Sequence, residues 1–378
     1  METTALAIAA VFGSAVLLAV PLGWLFKIQL KPGRFTHLDG MRAIAALMVV
    51  CAHYVPHAGL VMGAPVSLRL CDALGAVGVQ IFFCITGFLF MRKAMNGPIA
   101  IDALISSRVR RIVPLYLVAM TAAIAVTLCI ARSIPHAPQA TFRDLVSSYA
   151  YGFTGGDIPS VAGMSIGGQA GQMWTLRWEW LFYLLVPFIA TLLMRPLWAV
   201  AASSIAVGCA AYQYNGTLAP WVFFLPGMAC GLMEHKIKPG AITQIALTVI
   251  GAIAFAVSLH VHEPAYGLAQ LALCMIGFPA VLLGHRAPLS LKPLRLLGEV
   301  SYGLYMWHLV VVSVFWLYVQ VWSDWNNYKT SGNKLPVAVA SLIGLFVLSF
   351  VTYALFERPF MARAKDRPGT NSRDCQPG

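Results

Sequence analysis

Long apolar runs, separated by short polar segments, dominate the pattern of this sequence. Eleven such runs lie at about 3–26, 42–60, 74–91, 110–131, 174–194, 197–214, 217–233, 241–259, 265–284, 296–322 and 335–356. Each is close to the roughly 20 residues that an α-helix, rising 1.5 Å per residue, needs to cross the hydrocarbon of a bilayer. The pattern therefore predicts an all-α polytopic membrane protein with about eleven transmembrane helices.

Composition supports lipid as the solvent of this chain. Hydrophobic residues make up 59% of the 378 positions and charged residues only 11%, with a mean hydropathy of +0.75. A soluble domain carries roughly 25% charged residues. The net charge of +12 comes from short basic clusters between the runs, so nucleic-acid binding is not expected. The eight cysteines are scattered without a CxxC pair, so neither a disulfide framework nor a metal site is predicted.

The distribution of Lys and Arg between alternate loops predicts the orientation. If every run crosses the membrane, 20 basic residues fall on one side and 5 on the other. Because cytoplasmic loops are enriched in Lys and Arg, we expect the N-terminus outside the cell and the C-terminus in the cytoplasm. The first run has no basic residues before it and is too long for the apolar region of a signal peptide, which predicts a retained helix.

Two ionisable residues share one face of the second run. Arg42 and His53 are eleven positions apart, and at 100° per residue this spacing returns to within about 20° of the same direction. The rise is roughly 16 Å, so an arginine at the cytoplasmic boundary places His53 near the bilayer midplane. A histidine at that depth is a candidate functional residue. A packed histidine hydrogen-bonded to a neighbouring helix is the equally weighted alternative.

The tenth run carries a second histidine at a similar depth. Ser301, Tyr305 and His308 share one helix face at i, i+4 and i+7. A polar contact between helices explains His308 at least as well as a catalytic role does. The three residues are therefore kept as further candidates beside His53.

A carboxylate lies inside the fifth run. Glu179 needs a partner at that depth, and Arg177, two positions away, points in another direction. The partner is expected on another helix, and an imidazole that the carboxylate orients is one candidate.

Arginines at the start of the fourth run suggest an anion site. Arg108 and Arg111 share a face at i, i+3 and could hold phosphates through paired hydrogen bonds. Anchoring by positive charge at the cytoplasmic face explains them equally well. On the other side, the loop at about 132–173 is rich in Gly, Ser and Pro, and long enough to cover a binding site.

Together these stretches resemble the acyltransferase family three membrane O-acyltransferases of bacteria. The matching stretches are, in chain order, Leu38-Asp39-Gly40-Met41-Arg42 followed after ten residues by His53, the run from Gly78 to Phe88, Arg108-x-x-Arg111-Ile112-x-Pro114, Trp174-Thr175-Leu176-x-x-Glu179-x-x-Phe182-Tyr183, Ser301-Tyr302-x-x-Tyr305-x-x-His308, and Glu357-Arg358-Pro359. Each motif is weak alone, whereas the ordered set is specific. The resemblance adds Asp39 to the candidates.

The resemblance implies a domain division. Residues 1–34 would form an extra N-terminal transmembrane helix with its cytoplasmic connector, residues 35–361 a ten-helix membrane acyltransferase domain, and residues 362–378 a disordered basic tail in the cytoplasm. The chain departs from the family in this extra helix, in Ser107, where a second basic residue is common, and in Thr86, which replaces a common serine.

The resemblance also implies an activity at the bacterial inner membrane. Family members transfer an acyl group, usually acetyl, from acyl-coenzyme A to a hydroxyl, commonly on a surface carbohydrate that can be lipid-linked. On this chain, Arg42 and His53 become the essential pair, and Arg42, Arg108 and Arg111 hold the phosphates of the acetyl-CoA donor. His53 acts as general base or is itself acylated. A proton-coupled transporter using intramembrane His and Glu is the rival, and a small secondary metabolite is the alternative acceptor.

Overall fold

The protein is described here from a computed structural model covering residues 2–30, 35–57, 65–192, 219–261, 265–284, 287–322 and 334–362. The predicted run at 197–214 and nearly all of the predicted tail at 362–378 lie outside these ranges. The domain division at residues 34 and 361 stays a prediction.

Helices account for nearly all of the described chain. They are α1 (Glu2–Leu25), α2 (Thr36–His57), α3 (Pro65–Met95), α4 (Ile101–Arg132), α5 (Phe142–Thr154), α6 (Gly167–Ala170), α7 (Trp174–Leu192), α8 (Phe224–Met233), α9 (Ala241–Ser258), α10 (Leu268–Leu283), α11 (Lys292–Glu299), α12 (Ser301–Trp322), α13 (Lys334–Thr352) and α14 (Arg358–Ala362). Short 3₁₀ turns occupy Gly171–Met173, Pro220–Phe223, Glu234–Lys236 and Pro288–Ser290, and a π-helical turn spans Tyr353–Glu357. The two antiparallel strands β1 (Ser160–Val161) and β2 (Met164–Ser165) form the one sheet in these ranges.

Six of these helices are long and apolar enough to cross a membrane. Their candidate spans are Thr4–Leu25, Thr36–Pro56, Leu68–Met95, Ile101–Arg132, Ala241–Ser258 and Pro336–Met361. Helices α11 and α12, which meet at an angle of 68°, form a seventh candidate if the bent pair is one span. Two shorter apolar helices, Pro220–Met233 and Leu268–Leu283, coincide with further predicted runs. The all-α polytopic class is confirmed, whereas the count of eleven spans is not.

Helix α2 lies at the centre of the bundle and packs on α3, α11 and α12. Its small residues permit this position, since Ala43, Ala45 and Ala46 are fully buried against neighbouring helices. A methyl group added to Gly78 of α3 would lie 2.7 Å from the carbonyl oxygen of Ala45, so the two backbones almost touch. Small residues at such crossings are the usual device of membrane bundles.

Helix α3 crosses α8 just as closely on its other side. A Cβ at Gly87 would lie 2.2 Å from the carbonyl oxygen of Phe224, and one at Gly227 would lie 1.7 Å from the carbonyl oxygen of Cys84. The small residues of the run from Gly78 to Phe88 permit these contacts. They fix α3 between α2 and α8.

The loop between α4 and α7 is a folded unit. Thr141 and Asp144 form a capping box at the start of α5, and Asp144 Oδ2 also accepts a hydrogen bond of 3.3 Å from the backbone N–H of Ala162. Hydrogen bonds from the Thr141 backbone N–H, the Thr141 hydroxyl and the Ala162 N–H hold the pKa of Asp144 below its usual value of 3.8. The carboxylate therefore ties α5 to the strand pair.

The end of the same loop packs on α12. The hydroxyl of Ser313 donates to the carbonyl oxygen of Gly168 at 2.9 Å, and Gln172 Nε2 donates to that of Met306 at 2.8 Å. The loop thus reaches the helix that carries the second candidate histidine.

Candidate functional site

Two adjoining cavities lie inside the bundle, between α2, α3, α4, α7 and α12. We call the first the arginine cavity; it has a volume of about 100 Å³, and its polar lining consists of Arg42, Thr86, Arg108, Arg111, Thr175, Glu179, Tyr183, Ser301, Tyr302 and Tyr305. We call the second the histidine cavity; it has a volume of about 200 Å³, and its polar and aromatic lining consists of His53, Asp72, Gln172, Trp174, Tyr266 and Tyr305. The predicted site residues are therefore divided between two compartments.

Two side chains separate these cavities. Val79 of α3 and Tyr305 of α12 line both of them, and each is only 7% exposed. The Tyr305 hydroxyl donates to the carbonyl oxygen of Gln172 at 2.9 Å and lies 2.9 Å from the hydroxyl of Thr175. These bonds fix the phenol ring, so Val79 and Tyr305 form a thin partition.

The predicted pair on α2 spans the partition. Arg42 lines the arginine cavity and His53 the histidine cavity, so both residues face the interior that α3 and α12 enclose. The shared face predicted from their spacing follows from the continuous helix Thr36–His57. Their catalytic roles stay predictions.

The two intramembrane histidines meet. The rings of His53 and His308 stack with centroids 5.2 Å apart and planes inclined by 29°. His308 Nδ1 lies 2.7 Å from the carbonyl oxygen of Tyr305, and because a carbonyl can only accept, Nδ1 carries the hydrogen. His308 is fully buried and lines neither cavity among the described residues, so it contacts the site through the ring of His53.

The arginine cavity carries a net positive charge. Three arginines (Arg42, Arg108 and Arg111) face a single carboxylate, Glu179, among its described lining residues. The Arg108 guanidinium also lies 5.3 Å from the ring centroid of Phe90, a cation–π distance. Guanidinium groups gathered around a cavity fit an anionic group such as a phosphate.

Glu179 has a different neighbour from the one that the sequence suggested. It lines the arginine cavity, whereas His53 lines the histidine cavity. Its Oε2 accepts a hydrogen bond of 2.8 Å from the hydroxyl of Tyr183, one helical turn further along α7. The structure thus brings Glu179 together with arginines and a tyrosine, and not with an imidazole.

The remaining candidates have mainly structural surroundings. Asp39 lines neither cavity among the described residues; its backbone abuts α11, where a Cβ at Gly298 would lie 2.1 Å from the Asp39 carbonyl oxygen. Ser301 lines the arginine cavity, and its hydroxyl donates to the Gly298 carbonyl oxygen at 2.7 Å. Within the described chain, no group of three His, Cys, Asp or Glu side chains could hold a metal ion.

Sequence reasoning missed four residues of the histidine cavity: Asp72, Gln172, Trp174 and Tyr266. The sequence held one indication for Asp72: it lies seven positions before Val79, so both side chains share the face of α3 that lines the cavity. From the sequence alone, Trp174 at the start of α7 fits an ordinary tryptophan of the membrane interface. Gln172 and Tyr266 lie in connecting segments, and no periodicity points to them.

Comparison with known proteins gives these cavities a chemical context. The model of an acyltransferase domain family matches residues 35–354 of the chain. The protein belongs to acyltransferase family 3. It is therefore an acyltransferase and a multi-pass membrane protein, and neither the family nor the relatives support the transporter hypothesis.

Two relatives are similar over most of the chain. The exopolysaccharide production protein ExoZ of Rhizobium meliloti (strain 1021) is 26% identical over 321 residues, which cover 78% of this chain and 92% of that protein. BcsY of Komagataeibacter xylinus, named as a membrane-bound transacylase, is 25% identical over 355 residues, covering 85% of this chain and 81% of that protein. No solved structure matches the chain.

Proposed function

We propose that this protein transfers an acyl group, in the first instance acetyl, from acyl-coenzyme A to a hydroxyl of an exopolysaccharide or another surface carbohydrate. The family supports acyl transfer, and the names of the two relatives, an exopolysaccharide production protein and a transacylase, support a polysaccharide acceptor. The names favour this acceptor over a small secondary metabolite.

One observation carries the assignment of sites to substrates. A cavity lined by three arginines adjoins a cavity lined by a histidine, and Val79 and Tyr305 line both of them. The anionic phosphates of coenzyme A suit the first cavity, and a neutral hydroxyl suits the second. The positive-inside distribution of Lys and Arg supports a cytoplasmic donor and an external acceptor.

The proposed chemistry takes place at the partition. The donor phosphates bind Arg42, Arg108 and Arg111, and the pantetheine arm extends toward Tyr305. His53 removes the proton of the acceptor hydroxyl while the oxygen attacks the thioester carbonyl. The carbon–sulfur bond breaks, and the imidazolium returns the proton to the departing thiolate. In the alternative relay, His53 itself receives the acyl group and passes it to the hydroxyl.

A thiol-release assay tests the proposal. Purified protein in detergent is given acetyl-CoA with and without a surface-glycan fraction, and free thiol is measured for wild type, His53→Ala and His260→Ala. His260 is exposed on the turn after α9, so its variant is the matched control. Glycan-dependent release that only His53→Ala abolishes supports the proposal. Release unaffected by His53→Ala contradicts the mechanism, and no release with any acyl-CoA contradicts the function.

A further inference from the structure

The histidine cavity has the size and lining of a site for one sugar ring. Its volume of about 200 Å³ corresponds to roughly seven water molecules at about 30 Å³ each. This space is below the range of about 300–1,000 Å³ that is usual for drug-sized ligands. A single ring fits, whereas two linked rings would have to extend out of the cavity.

Gln172, which lines the histidine cavity, has a buried amide oxygen without a hydrogen-bond donor among the described residues. Gln172 is only 4% exposed, and its Nε2 donates to the Met306 carbonyl oxygen. Its Oε1 is buried and accepts no hydrogen bond from any group in the part of the chain that the structure describes. A buried acceptor left without a donor costs stability, so a ligand hydroxyl that reached this oxygen from the cavity would be favoured.

The other groups of the cavity complement the same ligand. Asp72 is exposed, and neither a hydrogen bond nor a salt bridge involves its carboxylate within the described ranges, so it too offers acceptor oxygens. The ring of Trp174 is held edge-to-face against Tyr266, with centroids 5.8 Å apart and planes at 85°. The negative face of an aromatic ring suits the weakly positive C–H face of a sugar.

We infer that the histidine cavity binds one neutral sugar ring of the acceptor, with Gln172 and Asp72 accepting hydrogen bonds from its hydroxyls and Trp174 contacting its apolar face. The inference rests on the proposed function and specifies its substrate class. The carboxylate of Asp72 repels an acidic sugar such as a uronate, because Asp72 is the one carboxylate in the described lining and no Lys or Arg there offsets it. Arg69, one turn earlier on α3, does not line the cavity.

Two methyl glycosides, one neutral and one acidic, test whether the cavity prefers a neutral sugar. Acetyl-CoA-dependent transfer to methyl glucoside and to methyl glucuronide is measured by thiol release and by mass spectrometry of the ester. Wild type should use the neutral glycoside at least tenfold better in kcat/KM. Asp72→Asn should reduce this preference severalfold, whereas Asp157→Asn, an exposed loop carboxylate away from the cavity, should not.

A pair of glutamine variants tests the buried acceptor. Gln172→Met should raise the glycoside KM about 10- to 100-fold with the acetyl-CoA KM unchanged, since one buried hydrogen bond is lost. Gln169→Met is the matched control, because Gln169 is also buried with an unbonded Oε1 among the described residues but lines neither cavity. Melting temperatures in detergent show that both variants are folded.

The outcomes distinguish the inference from the function. Transfer to a polysaccharide but to neither methyl glycoside overturns the single-ring site, as does an unchanged glycoside KM in both Asp72→Asn and Gln172→Met. Either result leaves the acyltransferase assignment standing. Failure of every carbohydrate to promote thiol release removes the proposed function and the inference with it.

Discussion

The crossing of α3 and α8 gives a sharp prediction for Gly227→Ala. The new Cβ would lie 1.7 Å from the carbonyl oxygen of Cys84 and 2.7 Å from the backbone nitrogen of Phe88. Ordinary contacts begin at 3.4 Å, so the helices must separate by about 1.7 Å (3.4 − 1.7). No rotamer change can relieve a contact with backbone, and overpacking costs about 1–3 kcal/mol or more. We expect about 3 kcal/mol, at the upper end.

Detergent thermal unfolding measures this cost directly. At roughly 2–4 °C per kcal/mol for a large domain, the melting temperature should fall by about 6–12 °C. Activity should fall as well, since Thr86, which lines the arginine cavity, lies on the displaced stretch of α3. Gly13→Ala is the matched control, because a Cβ there has no neighbour within 4 Å. A melting temperature of Gly227→Ala within about 1 °C of that control would refute the reasoning.

Three further predictions concern the loop and the arginine cavity. Asp144 has a pKa below its usual value of 3.8, so its contribution to folding is complete above that value and disappears as the pH falls through the lower folded-state pKa. Asp144→Ala should therefore accelerate amide hydrogen exchange in α5 at pH 7. The difference in exchange rate between variant and wild type should narrow toward pH 3. Tyr183→Phe removes the hydrogen bond to Glu179, worth about 1.5–3 kcal/mol, and should lower kcat/KM for acetyl-CoA about 10- to 100-fold in initial-rate assays. An unchanged kcat/KM would show that this hydrogen bond has no part in the use of acetyl-CoA. Arg111→Lys should raise the acetyl-CoA KM about tenfold through loss of paired hydrogen bonds, whereas Arg110→Lys, outside both cavities, should leave it unchanged.

Periodicity predicted those parts of the site that lie on single helices. The eleven-residue spacing of Arg42 and His53 places both on one face because a continuous helix preserves angular phase over that distance. The same holds for the interval from Ser301 to His308. The fold class likewise follows from hydropathy, since only helices satisfy their own backbone polar groups in lipid.

Contacts between helices could not be read in the same way. The meeting of Glu179 with Arg42, Arg108 and Arg111 depends on α7 lying beside α2 and α4, and no spacing within one helix determines that. The contribution of Gln172 depends on a loop returning to α12. The span count stays unconfirmed for a related reason: α11 and α12 meet at 68°, and the helices at Pro220–Met233 and Leu268–Leu283 are shorter than a full crossing.

The partition of Val79 and Tyr305 has a consequence for the membrane as a permeability barrier. Where one cavity faces the cytoplasm and the other the exterior, these two side chains lie between two aqueous phases at different electrical potential. Each elementary charge that leaked through would dissipate about 2.3 kcal/mol per 100 mV. The partition consists of a valine and a hydrogen-bonded tyrosine, both only 7% exposed, so an ion crossing between the cavities would have to pass these buried side chains. A smaller residue in place of Val79 would widen the route between the cavities, so such a variant is expected to leak protons as well as to lose activity.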